Sequence, residues 1–176
     1  MVATPALKRM AWLAAVGLSA VVLTVLALVG TRPDSALVPF QAAGVMLAIA
    51  PDTPTEVRVD TEASAWRFTR GADGAWSGPA PTVARVAEGL RLLHGAAPHR
   101  IMTPDELGGA DLAEFGLDPP RYVVSVELPG RAPFVVRFGR ASAHGAAQYV
   151  QVAGRGDIIL LPRYVGEAWE AATGMP

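Results

Sequence analysis

From Ala11 to Gly30 the chain carries no charge and no proline. Twenty helical residues rise about 30 Å, the hydrocarbon thickness of a bilayer, so this run predicts one N-terminal transmembrane helix. Ser19 and Thr24 can each bond back to a carbonyl one turn earlier, and Trp12 sits at interfacial depth. A cleaved signal peptide is the rival reading, because Lys8 and Arg9 precede the run. The run is longer than such an apolar segment of about 7–15 residues, and Ala27-Leu-Val-Gly30 lacks its paired small residues. Lys8 and Arg9 lie before the helix, whereas Arg32 behind it is offset by Asp34. The positive-inside rule then puts residues 1–10 in the cytoplasm and the bulk of the chain in a bacterial periplasm, a single-pass inner-membrane protein.

Residues 31–50 form an apolar linker or membrane-surface segment. The stretch from Ser35 to Ala50 is too short to span and is interrupted by Pro39, Gln41 and Gly44. Two readings stay open: a linker feeding a first strand over Val45–Ile49, or a segment lying on the membrane surface or a partner's helices. Leu37, Val38, Phe40 and Met46 supply the apolar load that favours the second.

From residue 51 to 176 the patterning changes to that of a folded domain. Thr55–Asp60 and Ala65–Arg70 alternate with period two, and Trp66 and Phe68 face inward; Gly71-Ala-Asp-Gly74 then reverses the chain into Trp76-Ser77. Between Pro81 and Gly95 the period becomes helical, with Val83, Val86, Leu90 and Leu93 on one stripe. Pro98–Gly116 reads as irregular chain with a helical turn from Pro104. Alternation returns over Tyr122–Leu128, Ala132–Phe138, Gln148–Val152 and Asp157–Leu161, and Pro162 starts a final helix burying Tyr164, Val165, Ala168 and Trp169. The predicted fold class is α+β: one transmembrane helix, then antiparallel strands in two loosely duplicated sets, around Val57–Trp76 and Tyr122–Val152, with two packed helices.

Composition narrows function mainly by exclusion. Lys and Arg total 15 against 16 Asp and Glu, and no basic stripe marks a nucleic-acid partner. Without cysteine there is no disulfide, thiolate nucleophile, Cys-ligated zinc or c-type haem attachment. His94 and His99 stand five apart across Pro98, not on one helix face as a metal pair would. Ser142 and His144 share one loop, poor geometry for a nucleophile and its base. Asp105, Glu106, Asp111, Glu114 and Asp118 concentrate acid without calcium-loop spacing, and helix-start roles explain the first two. Gly108-Gly109 lacks the context of a phosphate loop, and Arg155-Gly-Asp157 is a hairpin turn.

Several motifs occur in order: a Val-x-Val strand, Trp66-Arg-Phe-Thr-Arg70 leading to Asp73-Gly-Ala-Trp76, the helix, and Phe115-Gly-Leu-Asp-Pro-Pro120 opening Tyr122-Val-Val. Val136-Arg-Phe-Gly139 and Gln148-Tyr-Val150 follow. From about Thr55 to Leu161 the chain resembles the DUF4340 family of bacterial membrane-anchored envelope domains. The Phe-Gly-Leu-Asp-Pro-Pro corner is its most specific element. The resemblance implies association with ABC-type export or gliding-motility systems and carries no catalytic residues.

The expected function is that of a non-catalytic accessory subunit of a multi-subunit integral membrane complex (a transporter, or a respiratory or photosynthetic assembly), with no cofactor and no metal. The bilayer and other membrane subunits are the expected partners. Ala14, Gly17 and Ser19, small enough for close helix approach, and Leu37, Val38, Phe40 and Met46 are the expected contact residues. The alternative is an extracytoplasmic ligand- or partner-binding module, which predicts a concave site with convergent polar groups. An enzyme would need acids of the Asp105–Asp118 loop to meet His144 or Arg137.

Overall fold

A computed structural model describes residues 17–25, 44–79 and 83–175. The chain divides into two compact units, Met1–Gln41 and Ala42–Pro176.

In the first unit, residues 17–25 are helical (α1), and Thr24 Oγ1 donates to the Ala20 carbonyl oxygen at 2.8 Å. The expected transmembrane helix is corrected here. Among the described residues no helix is long and apolar enough to cross a membrane. The nine described helical residues rise about 14 Å, half a hydrocarbon core. Residues 11–16 and 26–30 of the expected span lie outside the described residues.

The second unit contains β1 (Glu56–Asp60), β2 (Ala65–Arg70), β3 (Trp76–Ser77), α2 (Ala84–Gly95), β4 (Arg100–Met102), α3 (Pro104–Leu107) and a 3-10 turn (Leu112–Phe115). It continues through β5 (Tyr122–Glu127), β6 (Phe134–Ala141), β7 (Ala147–Val152), β8 (Ile158–Pro162) and α4 (Arg163–Thr173). All strands join one eight-stranded antiparallel sheet in the order β3-β2-β1-β5-β6-β7-β8-β4. The two meanders that looked duplicated meet side by side, Val57 opposite Val126 and Val59 opposite Val124. They then diverge: a helix follows β3, whereas another strand follows β7.

Period-two alternation selects the buried face. On β5, Tyr122, Val124 and Val126 are fully buried while Val123, Ser125 and Glu127 between them are half-buried. Helices α2 and α4 complete the core over that face with Val86, Leu90, Leu93, Val165 and Trp169. Gly89 of α2 lies under the Trp169 indole, where a Cβ would come within 2.8 Å of the ring. The small residue therefore sets how closely the helices approach.

The opposite face differs along its width. Over β1 and β2 it is a mosaic of ion pairs, Arg67 with Glu56 at 3.1 Å and Arg58 with Asp60 at 2.8 Å. Toward β6 and β7, the chain before β5 packs onto it. Phe115 meets Tyr149 edge-on at 5.1 Å between ring centroids, and Gly139 has no room for a Cβ beneath the Phe115 carbonyl. The Phe115–Pro120 corner is built by a Leu117–Pro120 bridge and a cis Asp118–Pro119 peptide.

Three further expectations change. Val45–Ile49 forms turns, not a strand: Met46 N donates to the Leu93 carbonyl oxygen at 3.0 Å, and Ile49 N to that of Met46 at 2.9 Å. His94 Nδ1 lies 3.2 Å from the Met46 and 2.7 Å from the Ile49 carbonyl oxygen, so its N–H takes acceptors a sheet would otherwise use. β4 was not anticipated; three residues are too few to show alternation, and it is fixed by pairing with β8. On α4, Tyr164 faces outward at 49% exposure, and the buried stripe runs through Val165, Ala168, Trp169 and Ala172. His94→Ala, which takes the imidazole donor from the Ile49 carbonyl and leaves the Met46 carbonyl only the Ile49 N–H, is expected to cost about 1–2 kcal/mol in urea denaturation. A midpoint unchanged from wild type would show that the turn holds without the imidazole.

Candidate functional site

Two of the buried polar residues, Gln148 and Glu170, converge with Arg163 where α4 crosses the sheet. Arg163 opens α4 and Glu170 lies two turns later on the same side, so both side chains reach one spot. Arg163 Nη2 donates to Glu170 Oε2 at 2.6 Å, and its Nη1 donates to Gln148 Oε1 at 3.1 Å. Gln148, itself buried, passes the chain on by donating from Nε2 to the Gly139 carbonyl oxygen at 2.9 Å. The Tyr122 hydroxyl donates to the Gly166 carbonyl oxygen at 3.1 Å. Gly166 lies between these groups, and a Cβ there would displace Gln148 Oε1 and crowd Arg163 and the Tyr122 hydroxyl.

These contacts move proton affinities. Burial, reinforced by the Glu170 carboxylate, pushes the Tyr122 phenol well above its ordinary value of 10.0. The hydrogen bond to Glu170 is the main reason that the Arg163 guanidinium is held above its usual range. The phenol has a consequence for stability. In the unfolded chain Tyr122 ionises near its ordinary pKa, whereas in the fold it stays neutral. Its contribution is therefore complete below about pH 10 and is lost as pH rises toward the raised folded value. The thermal midpoint should fall more steeply above about pH 10 in the wild type than in Tyr122→Phe, and parallel alkaline limbs would contradict this.

At the exposed end of the network, Arg121 precedes β5 and places Nη1 3.4 Å from Glu170 Oε1. Glu170 thus lies between two guanidinium groups with its side chain only 9% exposed. Beyond Arg121 a cleft of about 370 Å³ opens, lined by Thr61, Ser64, Trp66, Arg121, Gly174 and Met175. Thr61 shapes its rim by accepting from the Ser64 N–H at 2.9 Å and donating to the Ser64 carbonyl oxygen at 3.1 Å. Two further clefts of about 360 and 320 Å³ lie elsewhere, one along Ala48–Ala50 and Leu128–Arg131, the other around Asp52–Thr55 and Arg70–Gly74.

The residues anticipated from sequence fall in scattered places. Gly17 and Ser19 are exposed on α1. Met46 is corrected: it is 1% exposed and belongs to the domain core, packed beneath the turn that His94 holds, so no partner can reach it. Ala14, Leu37, Val38 and Phe40 lie outside the described residues. His99 and His144 are exposed and separate from His94. Among the described residues no group of three His, Asp or Glu side chains is placed to hold a metal. The loop acids serve local structure. Glu106 closes a capping box with Thr103, whose N–H holds the carboxyl below its usual range, and Asp111 accepts from the Ala113 N–H. Arg155 and Asp157 pair with each other across their turn at 2.8 Å.

Sequence reasoning missed Arg121, Gln148, Arg163 and Glu170. One signal was present: Arg163, Gly166 and Glu170 share a helical face, and a glycine between two charged residues marks a crowded polar contact. No protein family matches the chain, and no curated protein or solved structure does.

Proposed function

We propose that the chain is a non-catalytic accessory subunit of a larger assembly at a bacterial membrane, acting by docking to other subunits. The observation that carries this reading is the surface of α1. Leu18, Val21, Val22, Leu23 and Val25 are 49–67% exposed, so among the described residues the helix presents apolar side chains around its circumference with Ser19 and Thr24 as its only hydroxyls. A helix of that kind is stable in water only when other surfaces bury it. The membrane setting, and a link to export or gliding systems, are what the DUF4340 resemblance implies.

A photoreactive side chain at Leu18 or Leu23, activated in the source cells, tests the docking role. The expected product is a discrete adduct with a second polypeptide, absent when the probe sits at exposed Arg91 of α2. Adducts with lipid alone, or none, would remove the proposal.

The second reading, an extracytoplasmic ligand-binding module, is favoured by the cleft at Arg121. Its volume falls in the range of small-molecule sites, about 300–1,000 Å³, and apolar and polar groups converge on it.

A further inference from the structure

We infer that the cleft between the Ala48–Ala50 turn and the hairpin joining β5 to β6 takes a short aliphatic carboxylate, with Arg131 holding its carboxyl group. The site lies apart from α1 and from the cleft at Arg121, so it stands or falls independently of both readings above.

Charge supplies the first argument. Most arginines of the domain pair with a carboxylate or a carbonyl oxygen, as Arg163 does with Glu170 and Arg70 with Gly74. The Arg131 side chain is exposed and makes no hydrogen bond or ion pair among the described residues. It lines a cleft of about 360 Å³, and no acid is among the other residues that line it. Its charge is therefore uncompensated within the cleft. A guanidinium presents its N–H groups in a rigid fork that matches the two oxygens of a carboxylate. Thr53 adds a hydroxyl to the lining, and no carbonyl takes up the Ala50 N–H among the described residues.

The walls supply the second argument, because each is held by its own hydrogen bonds. On one side the Ile49 carbonyl oxygen meets His94 Nδ1 at 2.7 Å, and Thr53 N donates to the Ala50 carbonyl oxygen at 3.1 Å. On the other, Arg131 N donates to the Leu128 carbonyl oxygen at 3.2 Å, closing a turn in which Gly130 takes a φ of 67°. Both walls are set before a ligand arrives, which lowers the ordering cost of binding. Leu128 belongs to the core and Ile49 packs against it, so the lining is anchored and apolar. No aromatic ring lines the cleft, and its aliphatic walls suit a flexible chain better than a flat ring. The volume falls in the range of small-molecule sites, about 300–1,000 Å³. Nothing in the arrangement implies turnover of the ligand.

The test is an NMR titration of the full chain with hexanoate, hexanamide and acetate, following the Arg131 Nε–H and Ile49 methyl signals. Hexanoate is expected to shift both saturably with a dissociation constant around 1 mM. Hexanamide, which lacks the charge, and acetate, which lacks the chain, should each bind at least tenfold more weakly. Arg131→Gln should weaken hexanoate at least tenfold and leave hexanamide unchanged. Ala48→Phe serves as a second variant, filling the cleft at an exposed position while keeping the guanidinium. It should abolish hexanoate binding while the remaining amide spectrum stays native. Equal affinity for hexanoate and hexanamide would overturn the carboxylate assignment, and acetate as tight as hexanoate would overturn the aliphatic one. Hexanoate binding undiminished in Ala48→Phe would overturn the location, as would unsaturable shifts spread over α1. If no probe shifts either signal the inference falls, and the readings built on α1 and on the cleft at Arg121 are untouched.

Discussion

Glu170→Ala is expected to destabilise the domain by about 3–5 kcal/mol, the cost of leaving a buried charge without its partner. Arg163, whose side chain is 19% exposed, would lose its 2.6 Å bond and could not swing into water without abandoning Gln148. Gln148 would then loosen from Gly139, the point where the network ties to β6. Glu170→Gln keeps a hydrogen-bond acceptor for Arg163 and should cost about half as much. The double change Arg163→Met with Glu170→Met removes both charges and should recover most of the loss, since a buried ion pair is often replaceable by apolar residues of similar volume. Urea denaturation with a common slope gives each value. A Glu170→Ala domain within about 1 kcal/mol of wild type would mean that the network is not holding α4 to the sheet.

The second large effect belongs to Trp169, the largest fully buried side chain. Trp169→Ala should cost about 3–5 kcal/mol through lost burial and the cavity left between α2 and α4. Gly89 cannot relax to fill that space, because it has no side chain to move. Trp169→Phe should cost much less than truncation. Phenylalanine keeps most of the apolar area and removes the indole N–H, which is buried without a hydrogen-bond partner among the described residues. If the two substitutions prove equally damaging, the shape of the indole matters more than its volume. Filling the groove from the other side, Gly89→Leu, should also destabilise, since the ring sits within 2.8 Å of the added Cβ.

Much of the domain was legible because its elements obey simple periods. β2 runs Ala65–Arg70 and α4 runs Arg163–Thr173, as the alternation and the Pro162 start imply. The parts that escaped are those fixed by distant partners. β4 exists because β8 offers an edge, and the Val45–Ile49 turns exist because His94 claims their carbonyls. Met46 read as surface-seeking because its neighbours in sequence are apolar, yet its neighbour in space is the end of α2. The network escaped for a similar reason. Arg121, Gln148 and Arg163 lie on separate elements, and an isolated charge beside a strand usually faces water. The apolar run at the N-terminus predicted a membrane span from hydropathy alone, whereas the described helix covers residues 17–25. What persists from that pattern is a helix with apolar side chains around its circumference.

Docking through that helix is tested most directly by the mass of the native particle. The chain should be isolated from its own cells under gentle conditions and weighed by native mass spectrometry. The predicted result is a particle in which this 18.4 kDa chain accompanies a second polypeptide at fixed stoichiometry, and which dissociates when Leu18 and Leu23 are both replaced by Glu. A particle of 18.4 kDa alone, unchanged by those substitutions, would contradict it.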